Sequence, residues 1–178
     1  KFYNILNVCP ELFNQTVVLN GVSKSYAMTG WRIGYAAGNS DIIGAMKKIQ
    51  SQSTSCTCSI AQSAAKAALD NGKLKVDDMV KEYQARNEFL HKELNDIDGF
   101  DYKKPEGSFY AFVDVNGVIK KIKGVNDDFD LAEYFLLNAD VAVVPGTAFG
   151  AKNHIRISFA TSFENLKQAV ERIKRVLV

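Results

Sequence analysis

Apolar residues fall into short runs and stripes along this chain, and their spacing alternates between the periods of strands and of helices. Thr16-Val17-Val18-Leu19-Asn20 is an unbroken, β-branched run that predicts a strand covered on both faces. Ile33-Gly34-Tyr35-Ala36-Ala37 predicts a second strand, stopped by Gly38. Asn39-Ser40-Asp41 offers a cap for a helix through Ile42, Ile43, Met46 and Ile49. An alanine-rich helix follows from about Ser59 to Leu69 and ends at Asn71-Gly72; its small faces imply tight packing.

From Val76 to about Asn95 a long charged helix carries Met79, Val80, Tyr83, Phe89, Leu90 and Leu94 on one docking stripe. Phe109 to Val115 predicts a strand bounded by Gly107 and Asn116-Gly117. Lys120 to Asp128 reads as a polar, solvated loop, and Phe129 to Asn138 as a helix with apolar Leu131, Phe135 and Leu136. Val141 to Val144 predicts a strand broken by Pro145-Gly146, and His154 to Ala160 another. Ser162 to Val178 closes as an amphipathic helix with Phe163, Leu166, Val170, Ile173 and Leu177 inward. The alternation is that of an α/β protein.

Composition narrows the class. With 178 residues, 47% hydrophobic and 24% charged, the chain can bury a core in one large domain or two small ones. A net charge of +2 gives no field suited to nucleic acid or an anionic membrane. The longest apolar runs are too short to span a bilayer, and the sequence as given carries no charged-then-apolar leader. Cys9, Cys56 and Cys58 lack metal spacing and leave an odd thiol, which favours a reducing, cytoplasmic compartment. His91 and His154 are too few for a histidine metal site.

The chemistry centres on Lys24, which follows the apolar run 16–20 in a loop of small residues, with Arg32 further on. An amine attacks a carbonyl only when unprotonated, a state that desolvation or a neighbouring cation favours. Arg32 is suited to grip a phosphate dianion with its planar, always-charged fork. Small residues let backbone N–H groups approach an anion closely. A solvated lysine before an ordinary turn would use the same residue types. Arg156 is the second candidate: mid-strand among apolar neighbours, it needs an anion, either an internal carboxylate or a ligand.

Ser23-Lys24-Ser25-Tyr26-Ala27-Met28-Thr29-Gly30-Trp31-Arg32-Ile33-Gly34-Tyr35 resembles the cofactor-lysine signature of the class I/II aminotransferases, the fold type I pyridoxal-phosphate enzymes. With Asn20-Gly21-Val22 in front, it is most similar to the bacterial aspartate and aspartate/prephenate subgroup. The resemblance continues through Gln52-Ser53-Thr54-Ser55, Pro105-Glu106-Gly107-Ser108-Phe109-Tyr110, Val143-Val144-Pro145-Gly146-Thr147-Ala148-Phe149-Gly150 and Ile155-Arg156-Ile157-Ser158-Phe159-Ala160, and so along nearly the entire chain.

That resemblance implies a fold, a cofactor and roles. Residues 1–75 would be the end of the large-domain sheet of a pyridoxal-phosphate-dependent transferase. Residues 76–178 would be a connecting helix and a small α+β C-terminal domain. Lys24 would bind pyridoxal 5'-phosphate covalently and act as the catalytic residue; Arg32 and Ser23, with the Gly21 backbone, would hold its phosphate. Gly21 stands where many relatives have serine, so one hydroxyl to the phosphate is missing. Arg156 would bind the substrate's α-carboxylate by two parallel hydrogen bonds. The implied activity is transfer of an amino group from an amino acid, aspartate first, to a 2-oxo acid such as 2-oxoglutarate, with prephenate as a further acceptor. The matched part is the C-terminal portion of longer enzymes. The parent is therefore expected to be a homodimer, with Gln52-Ser53-Thr54-Ser55 facing its partner, and the fragment alone to be inactive. A lyase or other aminotransferase on the same cofactor, or a non-catalytic dimerising fragment, are the alternatives.

Overall fold

A computed structural model of the chain describes residues 3–177, Leu74 by its backbone alone; Val178 of the last expected helix lies outside the described residues. The fold is mixed α/β and divides into two compact units, with the boundary between Asp78 and Met79.

The first unit opens with a short helix, α1 (Ile5–Val8), in which Asn4 and Asn7 cap each other's backbone N–H. Strands β1 (Val17–Gly21) and β2 (Gly34–Gly38) pair antiparallel, Val17 opposite Gly38 and Gly21 opposite Gly34. Helices α2 (Ser40–Ser53) and α3 (Ser59–Asn71) follow, then the start of α4 (Lys73–Asn95). Asn39 caps α2 by accepting the Asp41 N–H, as its sequence suggests. The interior is small: Val22 and Ile33, at the two ends of the β1–β2 connection, meet Ala61 and Ala65 of α3, with Tyr26 and Met28 alongside. Alanine at these helix positions lets α3 lie close to the loop. Gly72 closes α3 in ordinary right-handed geometry. A Cβ there would sit 2.9 Å from the Tyr26 ring, so closeness rather than backbone freedom selects the glycine.

One expectation for this unit does not hold. The run 16–20 is not covered on both faces: β1 has β2 as its neighbour in a two-stranded sheet, and Leu19 is 72% exposed. On α2, Ile42, Met46 and Ile49 are also exposed. The apolar patterning is there, but the described residues of the unit do not fill it.

The second unit has a four-stranded antiparallel sheet in the order β3-β4-β6-β5, from β3 (Asp101–Tyr102), β4 (Tyr110–Asp114), β5 (Val144–Pro145) and β6 (His154–Ser158). Strand alternation sorts its faces. Ala111, Val113, Ile155 and Ile157 are buried with Leu90 and Leu94 of α4. Leu131 and Phe135 of α6 (Asp128–Ala139), and Leu166, Val170 and Ile173 of α7 (Phe163–Val176), complete that core. Tyr110, Phe112 and Arg156 alternate with the buried positions, so the opposite face carries them.

Here too the boundaries shift for identifiable reasons. Helix α4 starts at Lys73 rather than Val76, and Val80 is 55% exposed, off the buried stripe. Asn116-Gly117 opens the short helix α5 (Asn116–Ile119) instead of ending in a turn. The segment 120–128 is not a uniformly solvated loop: Ile122 and Val125 pack on the core, and Asp128 begins α6 while almost wholly buried. Pro145-Gly146 ends the strand as expected: Pro145 is its last residue, paired opposite Ile155 on the sheet's edge, where a missing N–H is tolerated, and Gly146 opens a 3-10 turn, while Val141 lies outside the strand in the core. Leu136 of α6 is 53% exposed, beside the buried Phe135.

Candidate active site

The loop between β1 and β2 carries Ser23, Lys24 and Arg32, and a chain of hydrogen bonds gives it one shape. The Val22 carbonyl accepts the Tyr26 and Met28 N–H groups, and the Lys24 carbonyl accepts the Ala27 N–H. The Thr29 hydroxyl donates to the Ser23 carbonyl at 2.9 Å, and Arg32 Nη1 donates to the Thr29 carbonyl at 2.8 Å. Arg32 itself takes the left-handed conformation, φ 54°, closing the 3-10 turn Thr29–Trp31. Ala27 does the same at φ 53°. Left-handed backbone at alanine and arginine is uncommon, and such strain persists only where surrounding contacts impose it. Buried Val22 and Ile33 anchor both ends.

The loop thus presents its polar groups outward over an apolar floor. Lys24 and Arg32 are exposed and Ser23 is half-buried. Arg32 lines an open cleft of about 560 Å³ with Trp31, Gln50, Cys56, Thr57 and Cys58; Lys24 and Ser23 lie outside its lining. Desolvation of Lys24, expected from a position beside a buried strand, is not supplied by the described residues, because that strand is itself open. Cys58 stands at the N-terminus of α3, where the nearby N–H groups of Ala61 and Ile60 draw its thiol below the usual range.

The donor set fits an aldehyde bearing a phosphate. It offers a primary amine on a pinned loop, a guanidinium whose Nη1 is braced by a carbonyl, and a hydroxyl beside the amine. A phosphorylated aldehyde needs one nucleophilic amine and cationic or hydroxyl donors, and these three residues supply them in one hydrogen-bonded loop.

Arg156 stands on the second unit, at the middle of β6, opposite Phe112 on β4 and Val144 on β5. Its guanidinium carbon lies 4.4 Å from the centroid of the Tyr110 ring and 4.2 Å from that of Phe149. Phe112 meets Phe149 edge-on and stacks on His154 at 5.1 Å. The internal carboxylate that sequence reasoning allowed for Arg156 is not found: among the described residues no acid pairs with it. Aromatic faces hold the cation and leave its planar hydrogen-bonding edge for an anion.

Sequence reasoning missed the residue that organises this corner. Asp128 is 1% exposed, and its carboxylate accepts the Thr147 N–H and hydroxyl, both at 2.8 Å, and the Asn153 N–H at 3.1 Å. Burial works to raise its pKa, but the hydrogen bonds from Thr147 and Asn153 outweigh it and hold the carboxyl below its usual value. Asp127-Asp128 before an apolar helix looks like a doubled cap, and only Asp127 caps, accepting the Phe129 and Asp130 N–H groups.

Comparison with known proteins agrees along the whole chain. The family model for aminotransferase class I and II matches residues 2–173. The aspartate/prephenate aminotransferase of Nitrosomonas europaea is 51% identical, over 99% of this chain and 46% of its own length. An aspartate aminotransferase of Rhizobium meliloti is 48% identical, over 97% of this chain and 43% of its own length. Among solved structures, an aspartate aminotransferase from Rhizobium meliloti superposes with a TM-score of 0.93 at 44% identity, over 99% of this chain and 45% of that one. One from Thermotoga maritima gives 0.86 at 40% identity, over 99% and 44%. The chain therefore spans less than half the length of the relatives it matches.

Proposed function

Because the chain belongs to the class I and II aminotransferases, we propose that the protein moves an amino group from an amino acid, aspartate first, to a 2-oxo acid such as 2-oxoglutarate, with pyridoxal 5'-phosphate as cofactor. The observation that carries this reading is the β1–β2 loop, in which an exposed lysine and a braced arginine share one hydrogen-bonded turn. Lys24 Nζ is the amine that would hold the cofactor at its aldehyde. Arg32 and Ser23 hold its phosphate. When bound, the cofactor takes up the electron pair left at the substrate's Cα.

The remaining work belongs to side chains of this chain. With the amino acid in place, the free Lys24 amine would take the Cα proton and hold it on Nζ as an ammonium until it is returned. Arg156 binds the α-carboxylate through two parallel N–H donors, orienting the Cα–H bond that breaks. Aspartate as donor and prephenate as a further acceptor rest on the names of the relatives from Nitrosomonas europaea and Rhizobium meliloti. We read the first unit as the end of the large-domain sheet and the second as the small C-terminal domain. The assembly is a homodimer, its compartment the cytoplasm, consistent with three free thiols.

Borohydride reduction of the cofactor-loaded full-length protein, followed by peptide mass analysis, tests this directly. The expected result is a phosphopyridoxyl mass on the peptide containing Lys24. The same mass on another lysine, or on none, overturns the assignment.

A further inference from the structure

Phe149, which covers one face of Arg156, sits on the 3-10 turn Gly146–Phe149 in the connection from β5 to β6. That connection has little support from the regular sheet, since β5 is two residues long and at the edge. What ties it down is Asp128. Its three donors come from both ends of the connection, Thr147 two residues before Phe149 and Asn153 three residues before Arg156. Other bonds close the loop on itself, Gly150 N–H to the Thr147 carbonyl and Ala151 N–H to the Gly146 carbonyl, while Val115 N–H donates to the Asn153 carbonyl. Close approach at Gly146 completes the turn, since a Cβ there would sit 2.6 Å from both Ala151 O and His154 Cβ.

A carboxylate is the group this arrangement requires. It accepts three donors at two oxygens and donates nothing, whereas an amide of the same shape turns an NH₂ toward at least one N–H or O–H. A fully buried acid is costly unless each oxygen is satisfied, so its presence at the start of α6, rather than an asparagine, calls for a reason.

We propose that Asp128 is a positioning residue for substrate recognition: by clamping Thr147 and Asn153 it holds Phe149 against Arg156 and so sets the orientation in which the guanidinium meets a carboxylate. This rests on the reading of Arg156 as the carboxylate-binding residue. Asp128 is buried with its oxygens taken up by Thr147 and Asn153, and it acts through the ring of Phe149.

Three variants of the full-length protein test the clamp. Asp128→Asn is expected to raise KM for the amino acid about tenfold and to leave kcat within about threefold. Thr147→Val, which removes one donor at nearly constant volume, is expected to do the same to a smaller degree, and Thr147→Ser, which keeps both donors, to restore wild-type values. In protein without cofactor, phenylglyoxal is expected to modify Arg156 severalfold faster in Asp128→Asn, as read by peptide mass, because the ring no longer shields it. If Asp128→Asn does not fold, Thr147→Val decides. Unchanged KM and unchanged Arg156 reactivity in the folded variants, while Arg156→Ala raises KM, overturn the clamp alone. Unchanged KM in Arg156→Ala overturns the carboxylate assignment and the clamp with it.

Discussion

Lys174 of α7 reaches Glu93 of α4 at 2.6 Å, with both side chains largely covered, and so ties together two helices of the second unit's core. The hydrogen bond from Lys174 holds the Glu93 carboxyl below its usual value despite the opposing effect of burial. A carboxyl depressed in the folded state stabilises above its unfolded pKa, about 4.3, and loses that contribution as pH falls through the lower folded value. Lys174→Met is expected to cost at most about 1 kcal/mol at pH 7. Urea unfolding of both proteins from pH 7 to pH 3 should show the difference shrinking below about pH 4. A difference that persists at pH 3 would assign the effect to packing of the lysine stem.

Tyr102 behaves in the opposite sense. It is 1% exposed, its hydroxyl donates to Asn87 Oδ1 at 2.5 Å, and burial pushes its pKa up to about 12. The unfolded chain releases this proton near pH 10, so the contribution holds below pH 10 and declines from there through about 12. In an alkaline absorbance titration, Tyr102→Phe is expected to delete the phenolate signal that rises near pH 12. At pH 7 the same variant should cost about 1–2 kcal/mol, from an Asn87 oxygen left unpaired.

In the first unit, Ala65 lies 5% exposed against Val22 and Ile33. Ala65→Leu forces α3 away from the loop and is expected to cost about 1–3 kcal/mol in thermal unfolding. Because Val22 and Ile33 anchor the Lys24 loop, cofactor affinity should fall in the same variant. An unchanged melting temperature would show that α3 has room this interior does not display.

Lys24→Ala is expected to lower transamination by at least about 10⁴-fold while retaining part of the cofactor affinity through Arg32 and Ser23. Lys24→Arg should be no better, because a guanidinium stays protonated and cannot attack an aldehyde. Steady-state rates with aspartate and 2-oxoglutarate decide this, and near-normal turnover in either variant would remove Lys24 from the chemistry.

Much of the fold was legible because periodicity carries it. The alternation of Ala111 and Val113 with Tyr110 and Phe112, and the heavy stripe of α7, follow from which residues enter the core. The place of Arg156 within a strand followed from the same alternation. What failed were positions set by partners distant in sequence. Asp128 was read as the end of a solvated loop because its donors lie 19 and 25 residues away. Leu19 looked buried because pattern records a preference for cover, not the surface that provides it. Val141 was read into a strand because an apolar run alone does not say where pairing begins.

The unequal interiors of the two units bear on how the molecule withstands handling. Val22, Ile33, Ala61 and Ala65 alone make up the buried cluster described in the first, against a continuous cluster from Leu90 to Ile173 in the second. A protease added sparingly should therefore nick ahead of Met79 and leave the later stretch as the surviving band. Attempts to crystallise a piece of this protein would do well to begin there.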